Sequence, residues 1–367
     1  MKRRWGIVGL VLIVALSGCK KKVELTEKET EWEDVEVPQH ITEKINDNIM
    51  IDSDVVVTAG FEDGKADIYS ISEKMVDKKK ALEVLSKGRK IVSEKKEKFE
   101  DGLEIDHYQF DNGDKLALYD DWIYYSSSLS DYLAYCIRFS DGQYGYNKDK
   151  FLECNEDFEF MTLNQANDKC LQLAKDLGIS LDEKNGEKVR LPHELLKEEE
   201  DVIVMEGIPE EENPKPKEQW REEDDCYLFK YAPLIGSDAL LTDVSVPDTE
   251  RIRGISDFQM QYNKNGIVLL AGGEQFRIEE TLKSQVPLMN LNAALEKLRL
   301  RFKEAILKDK FTITRISIGN LCMNMEDSKR YETLPVWEFH VKQEDLDTNA
   351  VSSWDIIFDA TSGKEIY

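Results

Sequence analysis

Four histidines (His40, His107, His193 and His340) and six cysteines are the residues with which this 367-residue chain could build a metal centre or a nucleophilic site. Their spacing assembles neither. No histidine has a second at the i, i+4 distance of H-E-x-x-H, and no C-x-x-C pair occurs. There is no G-x-S-x-G elbow, P-loop or G-x-G-x-x-G, and Gly272-Gly273, between two strand candidates, reads as a turn. The 74 acids leave room for the paired carboxylates of a glycoside hydrolase, which spacing alone can neither place nor dismiss. Trp122, Tyr124, Tyr125, Tyr144 and Tyr146 offer rings for stacking on a sugar or peptide, although aromatic strand residues more often fill cores and cross-strand pairs. The sequence therefore predicts no catalytic residue, no metal and no cofactor.

One cysteine stands apart. Cys19 follows three basic residues (Lys2, Arg3, Arg4), an apolar run over residues 5–16 and the small pair Ser17-Gly18. Those are the parts of a secretory signal. The run is too short to span ~30 Å of hydrocarbon, which takes ~20 residues. Cleavage between Gly18 and Cys19 would remove three basic residues and no acids, moving the formal charge from −25 to −28. Leu16-Ser17-Gly18-Cys19 resembles the lipobox of bacterial lipoproteins. The resemblance implies a diacylglyceryl group on the Cys19 sulfur, removal of residues 1–18, and a mature protein held on the outer face of the cell membrane. Lys20, Lys21 and Lys22 would then sit at the headgroups.

So acidic a body repels nucleic acid, whose binding depends on neutralising phosphates with Lys and Arg. Its expected partners are the membrane, through the lipid on Cys19, and another envelope protein; the oligomeric state is not legible. Cys136, Cys154, Cys170, Cys226 and Cys322 form a poor disulfide framework, being odd in number and unpaired in spacing. Buried thiols are favoured, with a Cys136–Cys154 bridge as the alternative.

The elements that must position any site are read from periodicity. Residues 19–48 are polar and read as a lipid-bearing flexible tether with a reach on the order of 30 Å. Residues 51–58 and 66–71 are strand candidates. The Lys/Glu-rich stretch 72–99 carries Met75, Leu82, Leu85 and Val92 at helical spacing. Asn112-Gly113 predicts a hairpin within residues 107–119, and residues 122–125 and 132–139 add aromatic strand candidates.

An internal echo follows. Met161-Thr162-Leu163-Asn164-Gln165-Ala166 opens one predicted helix, with a stripe at Leu163, Ala166, Cys170, Leu173, Ala174 and Leu177. Met289-Asn290-Leu291-Asn292-Ala293-Ala294 opens another, with Leu291, Ala294, Leu295, Leu298, Phe302, Ala305 and Ile306. Duplication and the stereotyped chemistry of helix starts both account for it. The expected fold class is α+β, in two related modules, each an antiparallel sheet packed against one or two helices. The predicted layout is signal 1–18, tether 19–48, N-terminal domain 49–193, acidic linker 194–225 and C-terminal domain 226–367. The linker holds fourteen acids against four basic residues, with residues 202–205 as a strand candidate inside it.

The C-terminal region continues as a strand over 311–322, a strand Leu334-Pro335-Val336-Trp337-Glu338-Phe339-His340-Val341 beginning near its proline, and a strand running into Asp359-Ala360-Thr361-Ser362-Gly363. This pattern resembles PepSY-type domains and the related extracytoplasmic YycI/YycH-like regulators, on Pro335, Trp337, Phe339, Asp359 and Gly363, over residues 288–367. The first half lacks a comparable Trp strand or Asp-Ala-x-x-Gly turn. What the resemblance implies is a non-enzymatic protein acting by contact. The residues themselves suit scaffold roles: Trp337 and Phe339 in core, Asp359 capping a turn, Gly363 supplying a positive φ. The expected function is a non-catalytic binding or regulatory module in the cell envelope. The alternatives are a lipid-anchored solute-binding protein and a wall-directed hydrolase using an acidic pair.

Overall fold

Both halves of the echo cap their helices with the residue that follows the methionine. Thr162 Oγ1 accepts from Gln165 N (3.2 Å) while Gln165 Oε1 accepts from Thr162 N (3.1 Å), a reciprocal cap. Asn290 Oδ1 accepts from Ala293 N at 2.9 Å. The computed structural model describes residues 25–32, 37–99, 102–140, 145–202, 213, 215–245, 251–303, 305, 307–325, 330–348 and 350–366. Gly18, Cys19, the rest of the signal region and the strand candidate at 203–205 lie outside them.

The helices are α1 (Glu27–Thr30), α2 (Lys78–Leu85), α3 (Ser128–Cys136), α4 (Lys148–Leu152), α5 (Leu163–Leu177), α6 (His193–Glu199) and α7 (Leu291–Phe302). The first strands are β1 (His40–Lys44), β2 (Ile49–Val57), β3 (Lys65–Glu73), β4 (Ile91–Lys98), β5 (Glu104–Phe110), β6 (Lys115–Leu118), β7 (Ile123–Ser126) and β8 (Glu187–Leu191). Then come β9 (Cys226–Tyr231), β10 (Leu234–Ile235), β11 (Asp238–Ala239), β12 (Phe258–Asn263) and β13 (Gly266–Gly272). Last are β14 (Phe276–Pro287), β15 (Lys310–Asn324), β16 (Tyr331–Glu344) and β17 (Val351–Asp359).

The class is α+β, with more strand than helix. One sheet runs β1-β2-β15-β16-β3-β14, with β17 also on β16; the other runs β4-β5-β6-β7-β13-β12-β9-β8. Among the described strands only β2 and β15 pair in parallel, with one isolated parallel bridge from Leu240 to Asn320 of β15. The second sheet is an insertion between β3 and β14 of the first. The expected domains at 49–193 and 226–367 do not follow this assembly, because each sheet draws strands from both. Alternation along a strand reports which face is buried, not which neighbour it pairs with. The echo helices serve different sheets: α7 packs Leu291, Leu295 and Leu298 into the first core, and α5 packs Ala166, Cys170 and Ala174 into the second.

Three local expectations change. Residues 25–32 and 37–45 are not a loose tether: Leu25, Trp32, Val37, Ile41 and Ile45 pack on the first core, and β1 pairs with β2. The 72–99 stretch is helical only in α2; after Gly88 it becomes β4, an edge strand whose residues are nearly all exposed. Its Lys and Glu, which read as a helix surface, are what an open sheet edge carries against unwanted pairing. Residues 132–139 lie partly in α3, where Leu129, Leu133 and Cys136 at steps of four and three are buried against the second sheet's outer face. Helical burial there overrides the strand preference of Tyr132 and Tyr135.

The acidic stretch 194–225 is likewise not all solvated linker. Its start belongs to α6, and Trp220 is buried. Glu199 is buried too, accepting from Arg138 Nη2 (2.9 Å), Asn147 Nδ2 (2.8 Å) and Lys150 Nζ. The five cysteines among the described residues are free thiols, four of them buried.

Candidate functional site

The C-terminal motif residues are scaffold. Trp337 and Phe339 are buried in the first core, where Trp337 Nε1 donates to Met289 O at 2.7 Å and Phe339 meets Phe358 edge-on. Pro335 sits within β16, which begins earlier than expected. It stands opposite Asn320 in the β15–β16 ladder, and its carbonyl accepts Ala360 N (2.9 Å) on the other side, so its missing N–H falls at the fork where β16 leaves β3 and takes up β17. Asp359 accepts from Thr361 N (2.8 Å), Thr361 Oγ1 (2.7 Å) and Ser362 Oγ (2.5 Å), closing the turn that Gly363 completes at φ +67°. None of these five residues lines the groove described below.

Nor do the aromatic candidates converge. Tyr125 is core, with its hydroxyl on Asp114; Tyr124 and Tyr146 are exposed; Tyr144 lies outside the described residues. The four histidines stay apart, each beside a carboxylate: His40 by Asp52 and Asp54, His107 by Glu97, His340 by Asp355, His193 by Asp225. Of the four, His193 lines a cavity.

That cavity is an open groove of ≈ 960 Å³ beside the second sheet. Sheet register builds it. Leu191 of β8 pairs with Cys226 of β9, so Pro192-His193 leaving one strand and Asp225 entering the other meet at the same end. Pro192 is the N-cap of α6. Asp225 Oδ1 accepts both His193 N and His193 Nδ1, each at 2.8 Å, capping the helix start and orienting the imidazole. Glu194 Oε2 lies 3.2 Å from the same Nδ1.

Opposite runs the loop Glu153 to Phe160 that links α4 to α5. Phe158 and Phe160 are half-buried and stack 5.8 Å apart over Tyr227, whose hydroxyl donates to Met161 O (2.7 Å) and accepts from Phe158 N (3.0 Å). Asp157 accepts from Leu163 N at the start of α5 and from Arg190 Nη2, and these hold its carboxyl below the usual range. Glu153, Glu156, Glu159 and Glu222 line the groove with no ion-pair partner among the described residues. The groove is thus acidic with an aromatic floor, suited to a cation or a cation-bearing ligand. Burial and Glu153 push the Cys154 thiol up, away from thiolate.

A smaller cavity of ≈ 410 Å³ lies between residues 60–69 and the β10–β11 turn. Asp238 lines it. Burial, with Asp67, Asp63 and Glu62 adding, raises its carboxyl to about 6 against the opposing Ser237 hydroxyl.

Sequence reasoning placed a domain boundary between His193 and Glu194, and so divided the groove's central cluster. The partner Asp225 is 32 residues away, and only strand register joins them. The usable signal was the step from Leu191 through Pro192 into a helix start, facing an Asp just ahead of an apolar strand.

No family model matches the chain, and no curated protein does. Among solved structures, it is similar to the crystal structure of an uncharacterized protein from Eubacterium rectale ATCC 33656. That match has 16% identity and a TM-score of 0.72, over 90% of this chain and 94% of the other. At that identity the likeness shows a shared fold.

Proposed function

We propose that this chain is an exported lipoprotein, anchored through Cys19 on the outer face of the cell membrane, that works by binding a partner in the cell envelope. The observation that carries the binding reading is the groove: half-buried Phe158 and Phe160 beside Glu153, Glu156 and Glu159, which have no ion-pair partner among the described residues, and a thiol held away from thiolate. Such a surface rewards a ligand that brings an apolar face and positive charge. The lipobox-like start supports the address, and the PepSY-like strands support action by contact. A groove formed within one module, rather than between two lobes, speaks against the solute-binding alternative.

The packed strap shortens the tether. At ~3.3–3.6 Å per residue, Cys19 stands at most ~22 Å from Leu25, which is seated on the first core. The folded body would therefore be held close to the bilayer.

Photo-crosslinking in intact cells tests the reading. A photoreactive residue at Phe160 should capture a defined partner that the same residue at exposed Met50 does not. Identical capture patterns at both positions would reject the groove as the binding surface.

A further inference from the structure

We propose that His193, Glu194 and Asp225 form a binding site for a divalent first-row metal of the zinc class, at the α6 side of the groove. This goes beyond the binding reading and stands on donor geometry, whatever macromolecule the groove receives.

His193 Nδ1 lies 2.8 Å from Asp225 Oδ1 and 3.2 Å from Glu194 Oε2, and one ligand atom from each of the three residues lies within 4.8 Å of the other two. Nitrogen and oxygen donors bind zinc at ~2.0–2.2 Å, so two on one ion stand roughly 3.0 Å apart at a right angle and roughly 3.4 Å apart at a tetrahedral angle. The Glu194 spacing falls between those two values, and the Asp225 spacing is about 0.2 Å short of the right-angle one, so Asp225 need open only slightly to share an ion. In the metal-free protein the Nδ1 proton is shared with these carboxylates. A cation arriving at the same point takes the Nδ1 lone pair, and that proton leaves to water.

The donor set selects the metal. One imidazole with two carboxylates suits zinc and its first-row neighbours, whereas calcium prefers six to eight oxygens. Three protein donors leave coordination positions facing the groove, where a ligand atom or water completes the sphere.

Two donors are pre-organised and the third is free to close. The His193 and Asp225 side chains are 17% and 13% exposed and are fixed by the α6 cap, while Glu194 is 75% exposed. Glu153, Glu156, Glu159 and Glu222 add a negative field that concentrates cations at the site. The arrangement at His40 lacks this convergence: its Nδ1 faces Asp54 and its Nε2 faces Asp52, so the two carboxylates meet different ring atoms.

The test is calorimetric titration of the metal-stripped full chain with Zn2+, paired with the visible spectrum of the Co2+ complex. One equivalent of Zn2+ should bind, and Co2+ should develop the ligand-field bands of a low-coordinate site. His193→Gln and Glu194→Gln should each weaken binding about tenfold or more, while His40→Ala leaves it unchanged. Glu194→Gln leaves the α6 cap intact, so its loss of affinity with an unchanged thermal midpoint separates ligation from folding. Absence of saturable binding in millimolar Zn2+, equal affinity for Ca2+, or unchanged affinity in Glu194→Gln would each overturn the site.

Discussion

Trp32 lies stacked on Trp337, ring centroids 6.1 Å apart and planes 19° from parallel. Their indole nitrogens donate to consecutive carbonyls, Trp32 Nε1 to Leu288 O (2.9 Å) and Trp337 Nε1 to Met289 O (2.7 Å). The pair ties the segment before β1 to the loop that starts α7, across the middle of the first core.

Removing the outer ring should therefore cost real stability. Trp32→Ala is expected to destabilise by about 2 kcal/mol, less than a fully buried tryptophan because this ring is half-buried. A double-mutant cycle with Trp337→Phe should show coupling of about 1 kcal/mol. Urea unfolding of the four proteins measures both, and additive effects would mean the stack contributes nothing.

Gly64 carries Trp32. Its φ is +68°, and a Cβ there would stand 2.3 Å from Trp32 Cγ. Gly64→Ala should cost about 2 kcal/mol or more, from strain together with displacement of the ring. In a Trp32→Ala background the displacement disappears, and the cost should fall to the backbone strain of about 1 kcal/mol. Equal costs in both backgrounds would contradict the contact.

Asp238 should make stability fall with rising pH. Burial and the neighbouring acids raise its folded carboxyl to about 6, while an unfolded Asp ionises near ~3.9. Its contribution is complete below pH ~4 and is lost as pH rises through 6. Asp238→Asn, neutral at every pH, should stabilise by about 1–2 kcal/mol at pH 8, after discounting for solvent screening, and by little at pH 4. Urea midpoints at the two pH values are the check.

Glu199 works in the opposite direction. Burial opposes its ionisation but is outweighed by hydrogen bonds from Lys150 and Asn147 and by the charges of Lys150 and Arg138, so its carboxyl lies below the usual range. The stability it contributes is present above the unfolded value of ~4.3 and is lost as pH falls through the folded one. Glu199→Gln should cost about 2 kcal/mol near pH 7, and the difference from the parent should close under acid. An equal cost at pH 3 and pH 7 would show that shape, not charge, matters there.

Local chemistry made part of this fold legible. The caps at Thr162 and Asn290, the stripes behind them, the Asn112-Gly113 hairpin and the C-terminal strands with their Asp359–Gly363 turn are all written within a few residues. What was hidden is long-range. Nothing near β2 names β15 as its neighbour, and nothing near His193 names Asp225. Trp32 stands in a run so acidic that its apolar contact is masked by its surroundings. The Lys/Glu alternation of β4 fits a solvated helix and a charged sheet edge equally well, and only its place at the end of the sheet order, beside β5 alone among the described residues, decides between them.

The parallel pairing of β2 with β15 sets an order of assembly. Thr58 and Ile318, joined through the Thr58 hydroxyl, are 260 residues apart. β2 and β3 flank a gap that the late strands β15 and β16 must fill. A chain emerging from its amino end therefore carries two unmatched strand edges throughout synthesis, while the inserted sheet already has every strand it needs. Losing the last sixth or so of the polypeptide would remove the middle of the first sheet rather than its rim, leaving β2 and β3 each without a neighbour.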